Sequence, residues 1–152
     1  MPTLAPLLPL PPEELAFPPV ALHFAELVPG DALHGLVPSY HFRIVVNGAE
    51  VGHLNLRVGH SDHVWLVAGH IGYEIAAAHR GQRYALSACR ALAPFARSLG
   101  PVWILTCDPE NGASRRTLEL LGVAFLGEVP VPWHDPHYAR GSRTKLRFQW
   151  TP

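Results

Sequence analysis

Between His41 and Val58 the chain has few ways to avoid folding back on itself. The run His41-Phe-Arg-Ile-Val-Val46 is rich in β-branched and aromatic residues, and Asn47-Gly48 comes directly after it. That dipeptide favours a two-residue turn with positive φ at both positions, the turn whose twist matches two antiparallel strands. The segment from Glu50 to Val58 then places Leu54, Leu56 and Val58 at alternate positions, so a β-hairpin is predicted.

The pattern extends beyond the hairpin. A third strand is expected to start near Val67 and run through Ile71, Tyr73 and Ile75 to the small-residue step Ala76-Ala77-Ala78. Beyond Gly81, Ala85, Cys89, Leu92, Ala96 and Leu99 recur at alternating steps of four and three, one face of a helix that Gly100-Pro101 stops. Pro94 lies inside it and predicts a kink or a loosened last turn. Val102 to Cys107 is short, β-branched and aromatic and reads as a buried strand. A second helix starts at Asn111 or Ser114, passes Leu118 and Leu121 and closes at Gly122. Val123 to Val131 and Arg143 to Trp150 are two further strands around a polar loop at Pro132 to Ser142. Ahead of the hairpin, Pro18-Pro19, Pro29-Gly30-Asp31 and Val37-Pro38 break the segment from Glu13 to Pro38, where at most short helical turns are expected. The order is that of an α/β or α+β sheet flanked by helices.

At 152 residues with 48% apolar content the chain suits one core. We divide it into a Pro-rich N-terminal arm, residues 1–19, and a single domain, residues 20–152. The prolines at positions 2, 6, 9, 11 and 12 interrupt the apolar run that a leader peptide needs, and no stretch is long enough to span a membrane. Formal charge is zero, so no global field points to nucleic acid. Cys89 and Cys107 fall on a predicted helix and a predicted buried strand, which suits reduced thiols and a cytoplasmic setting.

A strand that ends in small residues, passes through Arg80-Gly81-Gln82 and enters a helix collects unpaired N–H groups at the positive end of a helix dipole. A phosphate or pyrophosphate fits there, with Arg80 and Arg83 adding charge. The plainer reading is a tight turn at Gly81 with solvated arginines. Similarly, Asn111 and Ser114 read as ordinary helix caps unless something binds beside them.

Taken in order, these patches resemble the GNAT superfamily of acyl-CoA-dependent N-acyltransferases. Arg80 and Ala85 occupy the first and last positions of its signature of Arg or Gln, two residues, Gly, one residue, then Gly or Ala, and Gly81 and Tyr84 suit its common Arg-Gly-x-Gly-Tyr-Ala version. Arg83 stands where the family has its central Gly, either crowding the pyrophosphate or adding a positive contact to it, with a helical Arg sterically allowed there. Asn111-Gly-Ala-Ser114, with Leu121-Gly122, is similar to the family's Asn-x-x-Ala/Ser helix. The likeness runs from about Val20 to Trp150, and Gly69-His-Ile-Gly-Tyr73 with Thr106-Cys-Asp108 looks like a bacterial branch of acetyltransferases.

The resemblance implies a mixed, mostly antiparallel splayed sheet of about six to seven strands flanked by helices, with acetyl-CoA as co-substrate between the fourth and fifth. It implies that backbone groups near Ile75 and Ala77 hold the pantetheine and the acyl oxygen. Arg80, Gly81, Gln82, Arg83, Tyr84 and Ala85 then bind the pyrophosphate end, beside Asn111 and Ser114. Direct transfer to a primary amine of a small molecule or protein needs proton acceptors and donors. Glu74 is the candidate base, and His70 shares its face by strand alternation. Leu118 stands where many relatives carry a Tyr, so Tyr138 is the candidate acid, with Tyr73 and Cys107 as substitutes. Trp133, His134, His137 and Tyr138 are expected to shape the acceptor pocket. Neither His60, His63 and His70 nor His134 and His137 has a fourth ligand at metal-site spacing, so no metal is assigned. Two other readings remain: a non-catalytic CoA- or nucleotide-binding sensor on the same fold, and an interaction protein that uses the Pro-rich arm. A homodimer through sheet edges is possible.

Overall fold

The computed structural model describes residues 8–152; of the Pro-rich arm expected over residues 1–19, residues 1–7 lie outside them. The predicted hairpin is the centre of the fold. Two strands precede it, β1 (Leu15–Phe17) and β2 (Val20–Val28), and its own strands are β3 (Ser39–Val46) and β4 (Ala49–Arg57). Asn47 and Gly48 turn at φ of 50° and 76°, both in the left-handed region that this turn requires.

Those first two strands correct the expectation of short helical turns before Pro38. Val20, Leu22 and Phe24 alternate toward the core, and β2 pairs with β3 from Val20↔Val46 to Val28↔Ser39. The breakers flank the strand instead of interrupting it: Pro18-Pro19 makes the turn from β1, and Pro29-Gly30 ends β2. Only Ala32–His34 forms a short helical turn, capped by the Asp31 carboxylate on Leu33 N–H. Tyr40 reaches back and donates its hydroxyl to Pro9 C=O at 2.5 Å.

A second correction concerns the approach to the third predicted strand. His63–Ala68 is a π-helical turn, and β5 covers only Ile71–Ile75. An apolar run as short as Val64-Trp-Leu-Val67 has no periodicity that separates strand from helix. Gly69 then reverses the chain at φ 71°. Strands β1 to β5 form one antiparallel sheet in sequence order.

Helix α1 (Tyr84–Leu99) buries Ala85, Cys89, Leu92, Phe95 and Ala96 against this sheet. Tyr40 and Phe95 meet edge to face at 5.0 Å, a geometry worth about 1 kcal/mol beyond its buried area. Pro94 sits on the exposed side and the helix continues through it, because the carbonyl it leaves free, that of Arg90, is at an exposed residue. Strand β6 (Trp103–Cys107), helix α2 (Gly112–Leu121), strand β7 (Ala124–Pro130), the single-turn helix α3 (Pro136–Ala139) and strand β8 (Thr144–Trp150) complete the chain. β8 inserts between β6 and β7, giving a second, three-stranded antiparallel sheet. The described residues thus hold eight strands in a mixed α/β fold of antiparallel sheets flanked by helices, two more than the element order read from the sequence. No helix among them is long and apolar enough to cross a membrane.

Candidate functional site

The two sheets meet at one point and then part. His70 makes the join: its carbonyl accepts from Arg57 N–H on β4 at 2.6 Å, while its own N–H donates to Ile104 C=O on β6 at 2.7 Å. The imidazole adds a second tie, Nδ1 accepting from Ile104 N–H at 2.8 Å and Nε2 donating to Gly59 C=O at 3.1 Å. That pattern fixes the neutral tautomer. Burial, with His60 and Arg57 nearby, pushes the His70 pKa down to about 4.

Beyond this vertex β5 and β6 diverge. The Arg57–His70 and Val51–Ala76 hydrogen bonds set the ladder register between β4 and β5. In an antiparallel ladder alternate residues bond to the neighbour and the others point away. In that register Glu74 faces His53 across the ladder, and the N–H groups of Tyr73 and Ile75 point into the gap.

A cleft of about 340 Å³ opens at this gap. Tyr73, Glu74 and Ile75 form one wall and Asn111, Ser114 and Thr117 the other, with the loop from His79 to Ala85 across the end. Of the sequence-predicted site residues, Glu74, Ile75, Arg80, Gly81, Gln82, Arg83, Tyr84, Ala85, Asn111 and Ser114 are therefore brought together. Ala77 is adjacent but outside the lining, in the turn Ala77–His79. His70 is outside the cleft too: at 1% exposed and with both ring nitrogens taken, it has no proton to exchange with a substrate. Its placement differs from the expected catalytic one because β5 begins only after it.

The first hydrogen bond of α1 runs from Ser87 N–H to Arg83 C=O at 3.2 Å, which leaves the N–H groups of Tyr84, Ala85 and Leu86 without a partner on the helix. Arg80 is pinned by its Nε on Ile75 C=O at 2.9 Å. Arg83 corrects an expectation. It is not helical; it stands just ahead of α1 at φ 59° and ψ 29°, in the left-handed region. A non-glycine residue there costs roughly 1–2 kcal/mol, so the backbone needs the conformation that Gly adopts freely while the side chain adds a cation to the cleft.

On the opposite wall Asn111 caps α2, its Oδ1 accepting from Ser114 N–H at 3.1 Å. Ser114 Oγ lies 2.9 Å from the Tyr73 hydroxyl. Burial raises the Tyr73 pKa, the buried thiols Cys89 and Cys107 adding to it, so the phenol stays protonated. Tyr138 is elsewhere: the Arg143 guanidinium stacks 3.7 Å from its ring centre, and the residue lines no part of this cleft. Sequence alternation could rank Tyr73 only low, since which helix faces it depends on the packing of α2. Just before Asn111, burial alone would raise the Asp108 pKa, but Lys145 at 2.8 Å and the Ser142 hydroxyl hold the carboxyl below its usual range.

Comparison with known proteins bears on this arrangement. Residues 28–124 match the family model described as an acetyltransferase (GNAT) domain. No curated protein sequence is significantly similar. Among solved structures, a ribosomal L7/L12 alpha-N-protein acetyltransferase, RimL, is 14% identical with a TM-score of 0.58, over 74% of this chain and 69% of that one. The Microcin C7 self immunity acetyltransferase MccE, solved with acetyl-CoA and AMP, is 14% identical with a TM-score of 0.59, over 75% of this chain and 61% of that one. RimJ of Mycobacterium smegmatis, solved with CoA-disulfide, is 25% identical with a TM-score of 0.56, over 74% of this chain and 53% of that one. The chain thus spans between about half and two thirds of the length of these structures.

Proposed function

The chain belongs to the GNAT acetyltransferase family, and from that premise we propose that it moves an acetyl group from acetyl-CoA to a primary amine of a small molecule or protein, both substrates being bound at once. The family uses acetyl-CoA as co-substrate, which supplies an activated acetyl thioester. The observation that carries the reading is the gap itself: β5 turns the N–H groups of Tyr73 and Ile75 into a cleft with Arg80 and Arg83 at one end and the Tyr73–Ser114 hydroxyl pair joining its two walls.

Each part has a task in that chemistry. The helix N–H groups with Arg80 and Arg83 suit the pyrophosphate. The strand N–H groups suit the oxygen of the thioester carbonyl as charge builds on it. As the new N–C bond forms and the C–S bond breaks, the departing sulfur takes up a proton, which the Tyr73–Ser114 pair can donate. Glu74 accepts the proton that the attacking nitrogen gives up. In this proposal His70 positions β5 and takes no part in proton transfer, and Tyr73 replaces Tyr138 as the acid. Free, buried Cys89 and Cys107 support a reducing, cytoplasmic setting. Among the described residues the outer edges of β1 and β7 are unpaired, which offers a surface for a homodimer.

One observation favours a second reading, a CoA-binding sensor: the helix position where many relatives carry the acid Tyr holds Leu118, which is completely buried. Calorimetric titration with acetyl-CoA tests both, since absence of saturable binding removes them together. Thiol release with a panel of primary amines then separates them. We expect Glu74→Gln to lower kcat about 10²-fold or more with acetyl-CoA binding intact; a rate equal to wild type removes Glu74 as base.

A further inference from the structure

A second cleft, of about 450 Å³, lies where the β2–β3 loop, the π-helical turn and the β7–β8 loop converge. It shares no lining residue with the first. Leu36, Leu66, Val67 and Pro136 give it apolar walls, and its carboxyl groups are those of Asp62 and Asp135. Among the described residues no Lys or Arg lines it, whereas Arg80 and Arg83 line the first. The two clefts therefore differ in sign.

Asp135 is firmly placed. The residue is 7% exposed, its Oδ2 lies 2.6 Å from His63 Nδ1, and its Oδ1 accepts from His137 N–H at 2.8 Å. Burial alone would raise its pKa, but these partners hold the carboxyl below its usual range, so it is charged at neutral pH. The ionised carboxylate can only accept, so His63 Nδ1 donates to it. A buried carboxylate, a second carboxyl group at Asp62 and apolar walls are complementary to an ammonium group on a short hydrocarbon chain.

The wall of the second cleft is tied to β6, one of the two strands that part at the gap. Val67, in its wall, accepts the Thr106 hydroxyl of β6 at 2.6 Å. The His63 ring lies 5.4 Å from that of His137, which burial and then the Lys145 charge bring down to a pKa of about 4. Lys145 in turn pairs with Asp108, just ahead of the Asn111 cap.

We propose, resting on the acetyl-transfer reading above, that the second cleft anchors one cationic nitrogen of a diamine while the other nitrogen enters the gap and is acetylated. The reacting nitrogen attacks the thioester as a free amine, forms the N–C bond as the C–S bond breaks, and loses its proton to Glu74; the anchored nitrogen stays protonated and unchanged. Charge and apolar length together define the substrate class, a flexible alkyl diamine, and a monoamine of equal length lacks the anchored half.

The test compares hexamethylenediamine with hexylamine, following thiol release at saturating acetyl-CoA. Wild type is expected to favour the diamine in kcat/KM by about tenfold or more, the effect lying in KM. Asp62→Asn and Asp135→Asn should each erase that preference and leave hexylamine turnover unchanged, which a merely structural loss would not do. Asp135 also caps α3; the Asp62 side chain makes no capping bond, so Asp62→Asn is informative even if Asp135→Asn fails to fold. Equal kcat/KM for the two amines in wild type, or an undiminished preference in both variants, overturns the proposal. If neither amine is acetylated although acetyl-CoA binds, the transfer reading falls, and calorimetry of hexamethylenediamine against wild type and Asp62→Asn decides the cleft on its own: Asp62-dependent binding upholds it and none overturns it.

Discussion

The two ends of the β5–β6 junction are built on opposite principles. At the vertex every polar group is matched: His70 alone is engaged through N–H, C=O and both ring nitrogens. At the open end the same strand turns the N–H groups of Tyr73 and Ile75 away from its neighbour, toward a helix whose first N–H groups also lack intrahelical partners. Buried backbone donors are ordinarily paired with protein or water, so the open end presents donors free to meet a ligand that accepts hydrogen bonds. The difference teaches that the splay is held open by a closed, rigid vertex, and that stability and binding should separate along one strand.

The largest effect should come from breaking the vertex. His70→Leu leaves Ile104 N–H and Gly59 C=O without their side-chain partner in the interior, at about 1–3 kcal/mol each. We expect a loss of roughly 2–5 kcal/mol in denaturant unfolding, and a loss under about 0.5 kcal/mol would mean that the vertex is not the keystone. Gly69→Ala should be of similar size, because at φ 71° the added Cβ meets Ile104 C=O at 2.9 Å.

The vertex also predicts a pH dependence. His70 titrates near its ordinary 6.5 when unfolded but near 4 when folded. Between those values the unfolded chain binds a proton that the native state does not, so stability falls as pH drops from about 6.5 to about 4 and this histidine adds no slope above that window. His137, also near 4, acts with the same sign. His70→Gln should therefore reduce the slope of melting temperature against pH below 6.5 without abolishing it; an unchanged slope would show that His70 is already charged in the native protein.

The two ends are not equally legible in the sequence. The open end is local: Arg80-Gly81 before a helix, and Asn111 with Ser114 at a cap, are motifs whose geometry is set within a few residues. The hairpin at Asn47-Gly48 is local for the same reason. The vertex is not. The partners of His70 come from Gly59 and Ile104, and strand alternation sets it beside Glu74 only while the chain reversal at Gly69 and the late start of β5 are unseen. β2 escapes a reading of the sequence because the breakers around it outweigh the alternation within it. Tyr73 can be recognised as the partner of Ser114 only once α2 is docked.

The open end can be tested without touching the vertex. Arg80→Ala removes both a charge at the cleft and the pin on Ile75 C=O, and should weaken acetyl-CoA binding about tenfold to a hundredfold, the range of a charge-assisted hydrogen bond. Arg80 is exposed and its guanidinium bond is at the surface, so unfolding stability should change by less than about 0.5 kcal/mol. Calorimetry and a denaturant melt on the same protein supply both numbers. A large stability loss with unaltered binding would reverse the assignment of roles to the two ends.

Arg83→Gly gives the smallest and most discriminating effect, because stability and binding should move in opposite directions. Glycine relieves a left-handed conformation that costs arginine roughly 1–2 kcal/mol, but it also loosens the unfolded chain by a comparable fraction of that amount. A net gain of about 0.5–1 kcal/mol in unfolding is expected. The same change removes one of the cations lining the cleft, so acetyl-CoA should bind severalfold more weakly, and the deficit should shrink as salt screens the remaining charge. If binding instead improves, Arg83 crowds the site, and the residue that departs from the family pattern hinders the ligand that the rest of the open end is built to hold.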